Sequence, residues 1–371
     1  DLALIVADRP AVCAAVFTQN RAAAAPVVVA REHIADGQAQ AVLINSGGAN
    51  AGTGDKGLRF AHWSCRELGN RLSVDPAMVL PCSTGVIGVQ LDRTPFSRAI
   101  SLAVDGLSRK GFGAAARAIM TSDEFPKWAH RVVKTGEESV TVAAMAKGAG
   151  MIHPNMATML AVVTTDARLG GKAARSVLAA AVAHSFNRIS VDADTSTNDT
   201  VILMASGAAA GKPINGPAAE GYGPVAAAVT EVLDELARMI VRDGEGATKM
   251  VDVRVEGLAD DSVAEQVARA VATSNLVKAA FAGADPNWGR IVAAIGNSGV
   301  DCALGSLAID IDDVVLVRSG DLVSEQARRT ARKAMQADSF TLRIGLGRGS
   351  GTATIVTSDL TEAWVRFNSK Y

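Results

Sequence analysis

Residues 147–167 read KGAGMIHPNMATMLAVVTTDA and place a glycine-rich turn directly before an apolar run that is typical of a strand. Gly148 and Gly150 permit backbone dihedrals that other residues avoid, and the Pro-Asn pair that follows fixes part of the chain. Ala157 is small enough for another group to approach its carbonyl, and Thr158 stands at the mouth of the strand. The stretch predicts a strand entry preceded by backbone that takes unusual conformations.

The chemistry of a threonine at this place depends on a base beside it. A threonine hydroxyl is a weak nucleophile on its own, and one solution is for the residue to use its own α-amino group as the base. Such an amine has a pKa of about 7.7 to 8.0, so part of it is neutral at working pH. Thr158 carries a free amine only if the Ala157–Thr158 bond is cut. An ordinary strand entry remains the alternative from these residues alone.

Composition and charge exclude several classes of protein. A length of 371 residues predicts two or three lobes, at ~150 residues per domain. Hydrophobic residues make up 49% of the chain but aromatic residues only 4%, so the core is built mainly from Ala, Val, Leu and Ile. Lysine and arginine total 37 against 38 acidic residues, which leaves no basic surface for a nucleic acid.

Membrane, metal and disulfide chemistry also lack support in the sequence. No apolar run approaches the ~18 residues that a membrane span needs. The four cysteines form no CxxC pair and the five histidines have no paired spacing, so neither zinc nor a disulfide framework is predicted. We therefore expect a protein without a metal, away from membranes, in the reducing cytoplasm.

The pattern of apolar residues predicts an α/β fold. Strands are predicted at 249–258, where valines alternate with charged residues, and at 339–360, where the glycines suggest a hairpin. Helical spacing covers 173–186, 223–241 and 261–281. Because several strands are amphipathic, we expect sheets covered by helices on one face and packed sheet on sheet on the other, with mixed or antiparallel pairing rather than a doubly wound parallel sheet.

A second candidate segment is residues 80–91, LPCSTGVIGVQL. Thr84 and Gly85 lie in a turn between apolar flanks, where consecutive backbone N–H groups can point into a cavity and stabilise an oxyanion. A simple turn explains the segment equally well when it is taken alone. The nearby glycine-rich run at 206–213, SGAAAGKP, lacks the spacing and the Ser or Thr of a phosphate-binding P-loop.

Taken together, nine segments resemble the ornithine acetyltransferase (glutamate N-acetyltransferase) family of arginine biosynthesis. The resemblance runs along the whole chain. It implies a helix–sheet–sheet–helix sandwich of the self-processing, N-terminal-nucleophile-like type. It also implies a precursor cut into an α chain, 1–157, and a β chain, 158–371, that assemble as an α2β2 heterotetramer. The segments are NSGGAN (45–50), CSTGVIG (82–88), AIMTSD (118–123), AKGAGMIHPNMATML (146–160), TTDA (164–167), DTSTNDT (194–200), DGEGATK (243–249), LVKAAFAGADPNWGR (276–290) and Asn368 near the end.

The resemblance assigns roles to individual residues. Thr158 would be the nucleophile and Ala157–Thr158 the cleavage site, while Thr84 and Gly85 would form the oxyanion hole. The residues that would contact substrate are Thr121, Lys147, Thr158, Glu245 and Asn368.

The implied reaction moves an acetyl group from N2-acetylornithine to glutamate through an acetyl-threonine intermediate. It needs no cofactor, and the residues leave open whether acetyl-CoA serves as a second donor. An amidohydrolase or aminopeptidase of the same self-processing fold, with water as acceptor, is the rival enzyme. A small-molecule-binding module with an intact chain is the non-enzymatic alternative.

Overall fold

The computed structural model describes residues 1–153 and 159–370 and divides into two compact units. The first comprises Asp1–Asn187 and Asp194–Ile240, and the second comprises Arg188–Ala193 and Val241–Tyr371. Two units agree with the two or three lobes that the length predicts. The expected cut after residue 157 does not coincide with the boundary between the units, because it falls inside the first.

The first unit is built on one mixed sheet of seven strands. Its strands are β1 (Leu2–Phe17), β2 (Gln38–Asn45), β3 (Val79–Ser83), β4 (Lys127–Thr135), β5 (Glu138–Lys147), β6 (Leu160–Thr165) and β8 (Thr200–Ala205), while β7 (Ile189–Ser190) belongs to the second unit. The strand order is β3-β2-β1-β8-β6-β5-β4. The strands β8 and β6, which follow the expected cut in sequence, therefore lie between β1 and β5, which precede it.

Helices cover both faces of this sheet. The helices that begin in the first unit are α1 (Ala25–His33), α2 (Gly54–Leu72), α3 (Arg93–Asp105), α4 (Phe112–Ala118), α5 (Gly171–His184) and α6 (Tyr222–Arg242). Along β2 the side chains alternate: Leu43 packs with α1, α2 and α3, whereas Ile44 packs in a second cluster with α4. The helices predicted at 173–186 and 223–241 are confirmed as α5 and α6.

The second unit contains the other mixed sheet, also of seven strands. Its further strands are β9 (Met250–Leu258), β10 (Ala308–Ile311), β11 (Val314–Arg318), β12 (Asp321–Leu322), β13 (Ser339–Gly345) and β14 (Gly351–Ser358), and its helices are α7 (Asp261–Ala272), α8 (Asn275–Ala282), α9 (Trp288–Asn297), α10 (Glu325–Ala334) and α11 (Glu362–Asn368). The order is β12-β11-β10-β13-β9-β14-β7. Val251, Val253 and Val255 of β9 pack against α7 in a single core. The α/β class and the mixed pairing are confirmed.

The predicted hairpin at 339–360 is wrong. The strands β13 and β14 do not pair with each other, because β9 lies between them, parallel to β13 and antiparallel to β14. The glycine-rich loop crosses the end of β9, where the Leu346 N–H donates to Glu256 O and the Gly349 N–H to Gly257 O. A Cβ on Gly257 would lie 2.6 Å from Gly347 O, so the glycines allow this close crossing.

The single helix predicted at 261–281 is two helices. Asp260 caps the start of helix α7, because its side chain accepts the Val263 N–H, and the helix ends at Ala272. Ser274 then caps α8 by accepting the Val277 N–H. The apolar spacing continues across the break, but the capping serine gives the backbone a local partner that ends one helix and starts the next.

Of the helices in the part of the chain that the structure describes, none combines the length and the apolar character required to cross a membrane.

Candidate active site

Two loops that follow parallel strands form one side of the site in the first unit. Strands β2 and β3 end side by side, with Asn45 opposite Ser83. The Thr84 N–H donates to Asn45 O at 2.8 Å, and the Gly48 N–H donates to Thr84 O at 3.0 Å. Asn198 holds both loops, because its Nδ2 donates to Ser83 O at 2.8 Å and also reaches the NSGGAN loop. The turn at Thr84 is therefore fixed by hydrogen bonds on both sides.

Gly85 takes a conformation that other residues avoid. Its φ is +123°, and a Cβ at this position would lie 2.9 Å from the backbone nitrogen of Gly48. Its N–H has no hydrogen-bond acceptor among the described residues. A backbone donor held rigidly without a partner is what an oxyanion hole requires.

Replacing this glycine tests the close packing. Gly85→Ala is expected to lower kcat for acetyl transfer by about 100-fold, because the methyl group displaces the backbone that carries the donor. The matched control is Gly88→Ala, since Gly88 also has a positive φ, +85°, but open space around the added methyl group. Steady-state kinetics on both variants check this. Equal losses in the two would show that dihedral strain, and not the Gly48 contact, limits the turn.

Lys147, the last residue of β5, joins the loop at Thr84 to the loop at Thr121. Its Nζ donates to Thr121 Oγ1 at 2.7 Å and to Thr84 Oγ1 at 3.2 Å, and only 5% of the residue is exposed. An ammonium group donates and never accepts, so each threonine oxygen receives a hydrogen and keeps its own hydroxyl hydrogen for another partner. The Thr84 hydroxyl hydrogen is in this way left available for a further acceptor.

A buried carboxylate lies behind Lys147. Asp123 Oδ1 accepts from Lys127 Nζ at 2.7 Å and from the Gly148 N–H at 2.7 Å, while Oδ2 lies 3.9 Å from Lys147 Nζ. Burial raises the pKa of Asp123, but Lys147 and Lys127 outweigh it and the net pKa lies below the usual range. Asp123 therefore binds Lys127 and faces Lys147, whose ammonium group lies next to Thr84 and Thr121.

A second buried carboxyl, Asp199, lies directly before β8. Its Oδ1 accepts the Met159 N–H at 2.9 Å, and the residue is 2% exposed. Burial raises the pKa of Asp199 well above its usual value, and the Met159 hydrogen bond and the charge of Lys147 oppose the rise without cancelling it. The sequence analysis included Asp199 only as part of the DTSTNDT segment and predicted no role for it.

The remaining predicted residues lie in the second unit. Asn368, at the end of α11, donates from Nδ2 to Glu245 Oε2 at 3.2 Å. Gly246 allows this approach, since its φ is +67° and a Cβ there would lie 2.4 Å from the Trp364 nitrogen. The Thr361 hydroxyl fastens the same loop by donating to Gly246 O at 2.6 Å. The structure thus brings Glu245 and Asn368 together.

Ala157 and Thr158, the predicted cleavage site and nucleophile, lie outside the described residues. The residues on either side are described: Lys147 of β5 pairs with Leu160 of β6 in the antiparallel register. The chain therefore leaves the sheet after Lys147 and re-enters it at Leu160, beside Lys147. Sequence reasoning missed four further side chains near this site: Asp123, Lys127, Asn198 and Asp199. Asp123, Asn198 and Asp199 stood inside quoted segments without an assigned role, and Lys127 was given no role either.

Cys82 precedes this site and takes no visible part in it. The residue is 4% exposed, and burial raises the pKa of its thiol to about 12. A thiol of that kind is unreactive near neutral pH, so Cys82 acts as a small buried hydrophobe. Within residues 1–153 and 159–370, no group of three or more His, Cys, Asp or Glu side chains is placed to hold a metal ion.

Comparison with known proteins identifies the family. The model of the ArgJ family matches residues 1–371. The chain is 46% identical to the arginine biosynthesis bifunctional protein ArgJ of Methylococcus capsulatus over 372 aligned positions, covering all of this chain and 91% of that protein. The identity to the protein of the same name from Geobacter sulfurreducens is 45%, with 94% of that protein covered.

A solved structure agrees with these relatives. The crystal structure of the arginine biosynthesis bifunctional protein ArgJ from Bacillus halodurans superposes with a TM-score of 0.55 and 39% sequence identity, over 58% of this chain and 100% of that chain. The extent and level of these matches confirm the ornithine acetyltransferase resemblance seen in the sequence, and with it an acetyltransferase of arginine biosynthesis. The chain belongs to the ArgJ family.

Proposed function

We propose that this chain cuts itself between Ala157 and Thr158 and then uses Thr158 to move an acetyl group from N2-acetylornithine to glutamate. The observation that carries the proposal is the arrangement around Lys147. Thr84, Thr121 and Lys147 were assigned to the site from separate segments, and Lys147 donates a hydrogen bond to each of the two threonines. They lie where the chain enters the segment that contains Thr158.

In the first half-reaction, the Thr158 Oγ attacks the acetyl carbonyl and its proton passes to the Thr158 amine. The charge that develops on the carbonyl oxygen is stabilised by the Gly85 N–H and the Thr84 hydroxyl. The bond between the acetyl carbon and the ornithine nitrogen then breaks, and that nitrogen takes the proton from the Thr158 ammonium. An acetyl ester on Thr158 and free ornithine remain.

The second half-reaction runs the same steps in reverse. The glutamate amine attacks the ester carbonyl, the oxyanion is held by the same donors, and N-acetylglutamate leaves as Thr158 Oγ regains its proton. The kinetics are therefore ping-pong. The Lys147 ammonium favours the neutral form of a nearby amine, which is the form that acts as the base.

We assign contact with the substrate to Glu245 and Asn368 as well, as the family resemblance implies. The Glu245 carboxylate is placed at the end of α11 with Asn368 beside it. A carboxylate of this kind binds the ammonium group of ornithine, and the amide adds a directional donor or acceptor. Recognition of these small-molecule substrates requires no cofactor.

The position of the cut explains how two chains stay together. Cleavage after residue 157 would break the covalent connection between β5 and β6. Their strand pairing, from Val142–Thr165 to Lys147–Leu160, would remain. We extend the proposal to an α2β2 assembly, as the family resemblance implies. We also propose that the protein works in the cytoplasm, since its cysteines are free, as is usual in a reducing compartment.

The intact mass of the purified protein under denaturing conditions tests the proposal. We expect two fragments, 1–157 and 158–371, and a gain of ~42 Da on the second after brief exposure to N2-acetylornithine, as an acetyl ester on the nucleophile requires. A single chain that is never modified would contradict the proposal. With glutamate added, N-acetylglutamate is the expected product. Acetate formed faster than N-acetylglutamate would instead identify a hydrolase of the same fold.

A further inference from the structure

The loop 243–249 in the second unit, DGEGATK, is tied to one buried aspartate, Asp359, which follows β14. Asp359 Oδ1 accepts the Thr248 N–H at 2.8 Å and the Lys249 N–H at 3.1 Å, while Oδ2 accepts the Thr248 hydroxyl at 2.5 Å. The Asp359 N–H returns a hydrogen bond to Lys249 O at 3.2 Å. A buried carboxylate is costly unless it is hydrogen-bonded, and this loop supplies donors to both of its oxygens.

The main chain on both sides of Asp359 is fixed by Lys278, a buried residue of α8. Lys278 Nζ donates to the Ser358 carbonyl and to Ser358 Oγ at 3.2 Å, and Lys278 O accepts the Leu360 N–H at 3.2 Å. Burial lowers the pKa of Lys278 to about 8, and the charge of Asp359 opposes that shift. The position of Asp359 is therefore set by α8, and the loop is fastened to it.

The connection from β14 to α11 also holds the proposed substrate-contact pair, Glu245 and Asn368. Thr361 lies in this connection, where its hydroxyl donates to Gly246 O at 2.6 Å and its side chain caps the start of α11. Asn368 lies at the end of α11 and donates to Glu245 Oε2 at 3.2 Å. The segment that begins at Asp359 thus fastens the loop that carries one member of the pair and starts the helix that carries the other.

We propose that Asp359 is a positioning residue for substrate specificity, which holds the Glu245 carboxylate in place for a donor that carries an ammonium group at the end of its side chain. The inference rests on the proposed function, in which Glu245 and Asn368 contact substrate. Glu245 is half-buried and Asn368 is exposed. An ion pair at such a place is weak when its side chains first have to be ordered, so a loop that is fixed beforehand strengthens it.

The pair distinguishes an ammonium group from an apolar end. Asn368 Nδ2 donates to Glu245 Oε2 and to Trp364 O at 3.1 Å, so the amide orients the carboxylate. A site built to bind a polar group discriminates strongly against an analogue that lacks the group. N2-acetylornithine and N2-acetylnorvaline carry the same acetyl group and the same carbon chain, and they differ only in the terminal amine. The ratio of kcat/KM for these two donors therefore measures what the Glu245 carboxylate contributes.

Asp359→Ala tests the inference, with Asp261→Ala as the matched control. Asp261 Oδ1 likewise accepts a backbone N–H at an end of β14, that of Thr352 at 2.9 Å, but it does not bind the loop. With glutamate as acceptor, we expect Asp359→Ala to lower kcat/KM for N2-acetylornithine about tenfold, as the weakening of one charged hydrogen bond requires. The loss should appear in KM with kcat nearly unchanged, because the contact is made in the ground state too. The value for N2-acetylnorvaline should stay nearly constant, and Asp261→Ala should keep the wild-type ratio.

A milder pair of variants makes the test independent of how Asp359→Ala folds. Thr248 is exposed, and Thr248→Val keeps its shape and its N–H but removes the hydroxyl that donates to Asp359 Oδ2. We expect Thr248→Val to lower the ratio of the two donors about threefold, since the backbone hydrogen bonds remain. Thr248→Ser restores the hydroxyl and should restore the ratio.

The ratio separates positioning from a general weakening of the fold, which would lower kcat/KM for both donors alike. Equal losses for both donors in Thr248→Val, or an unchanged ratio in it, would overturn the inference. A wild-type enzyme that uses the two donors equally well would overturn it too. If the wild-type protein forms no N-acetylglutamate from N2-acetylornithine, the proposed function fails instead, so the two failures are distinguishable.

Discussion

Thr158→Ala is expected to yield a single uncut chain with no acetyl transfer above background. The methyl side chain removes the hydroxyl that attacks the Ala157 carbonyl during cleavage and the acetyl carbonyl during catalysis. Without the cut there is also no α-amino base. Loss of an essential nucleophile lowers kcat by orders of magnitude, on the scale of ~10⁶. Denaturing mass spectrometry and an assay for N-acetylglutamate measure the two effects.

Two further variants show whether the effect belongs to this hydroxyl. Thr158→Ser keeps the hydroxyl and the amine and is expected to cut itself and retain part of the activity. Thr164→Ala changes a threonine of β6, whose Oγ1 donates to Ala143 O at 3.3 Å, and should be cut and active. An active Thr158→Ala protein would remove Thr158 as the nucleophile.

Asp123→Asn is expected to give the largest loss of stability in the chain. It leaves Lys127, which is 0% exposed, and Lys147, which is 5% exposed, without their shared counter-charge. Breaking a buried ion pair by removing one partner lowers the free energy of unfolding by about 3–5 kcal/mol. Urea unfolding measures it, in the uncut Thr158→Ala background so that each variant unfolds as one chain. Asp8→Asn is the control, because the Asp8–Arg109 pair is almost fully exposed and should leave the curve unchanged.

The same cluster predicts how stability depends on pH. The two lysines outweigh burial and lower the pKa of Asp123 in the folded protein, while the unfolded value is about 3.9. The stabilisation from this carboxylate is therefore fully present above the unfolded pKa and is lost as pH falls through the folded pKa. Asp123→Asn should lack this part of the acid transition. Identical acid unfolding curves, apart from a constant offset, would contradict the lowered pKa.

The sequence was informative wherever function constrains short segments. Thr84, Thr121 and Lys147 come from three separate segments, and the structure joins them through one ammonium group. Glu245 and Asn368 are 123 positions apart and still meet. These contacts could not be predicted from the spacing of the residues along the chain, because contacts between distant segments depend on the order of strands in the sheet. They were available only through resemblance to a known family.

Local patterns failed where long-range pairing decides the outcome. The segment 339–360 has every local sign of a hairpin, yet β9 separates its two strands. The sequence of a strand that has a neighbour on each side does not indicate which strands those neighbours are. Asp199 was missed for a related reason. A carboxyl in a polar run indicates a turn, and only burial and the Met159 contact make it unusual.

Under the proposed cleavage, the strand order of the first sheet affects how the protein refolds. Strands from after the cut would lie between strands from before it, so the sheet would need both fragments. An uncut chain refolds as one molecule. A cut protein, once denatured, would have to recruit two separate polypeptides, and its recovery would slow on dilution, because it depends on their concentration. The proposed cut would thus convert a folding problem into an assembly problem.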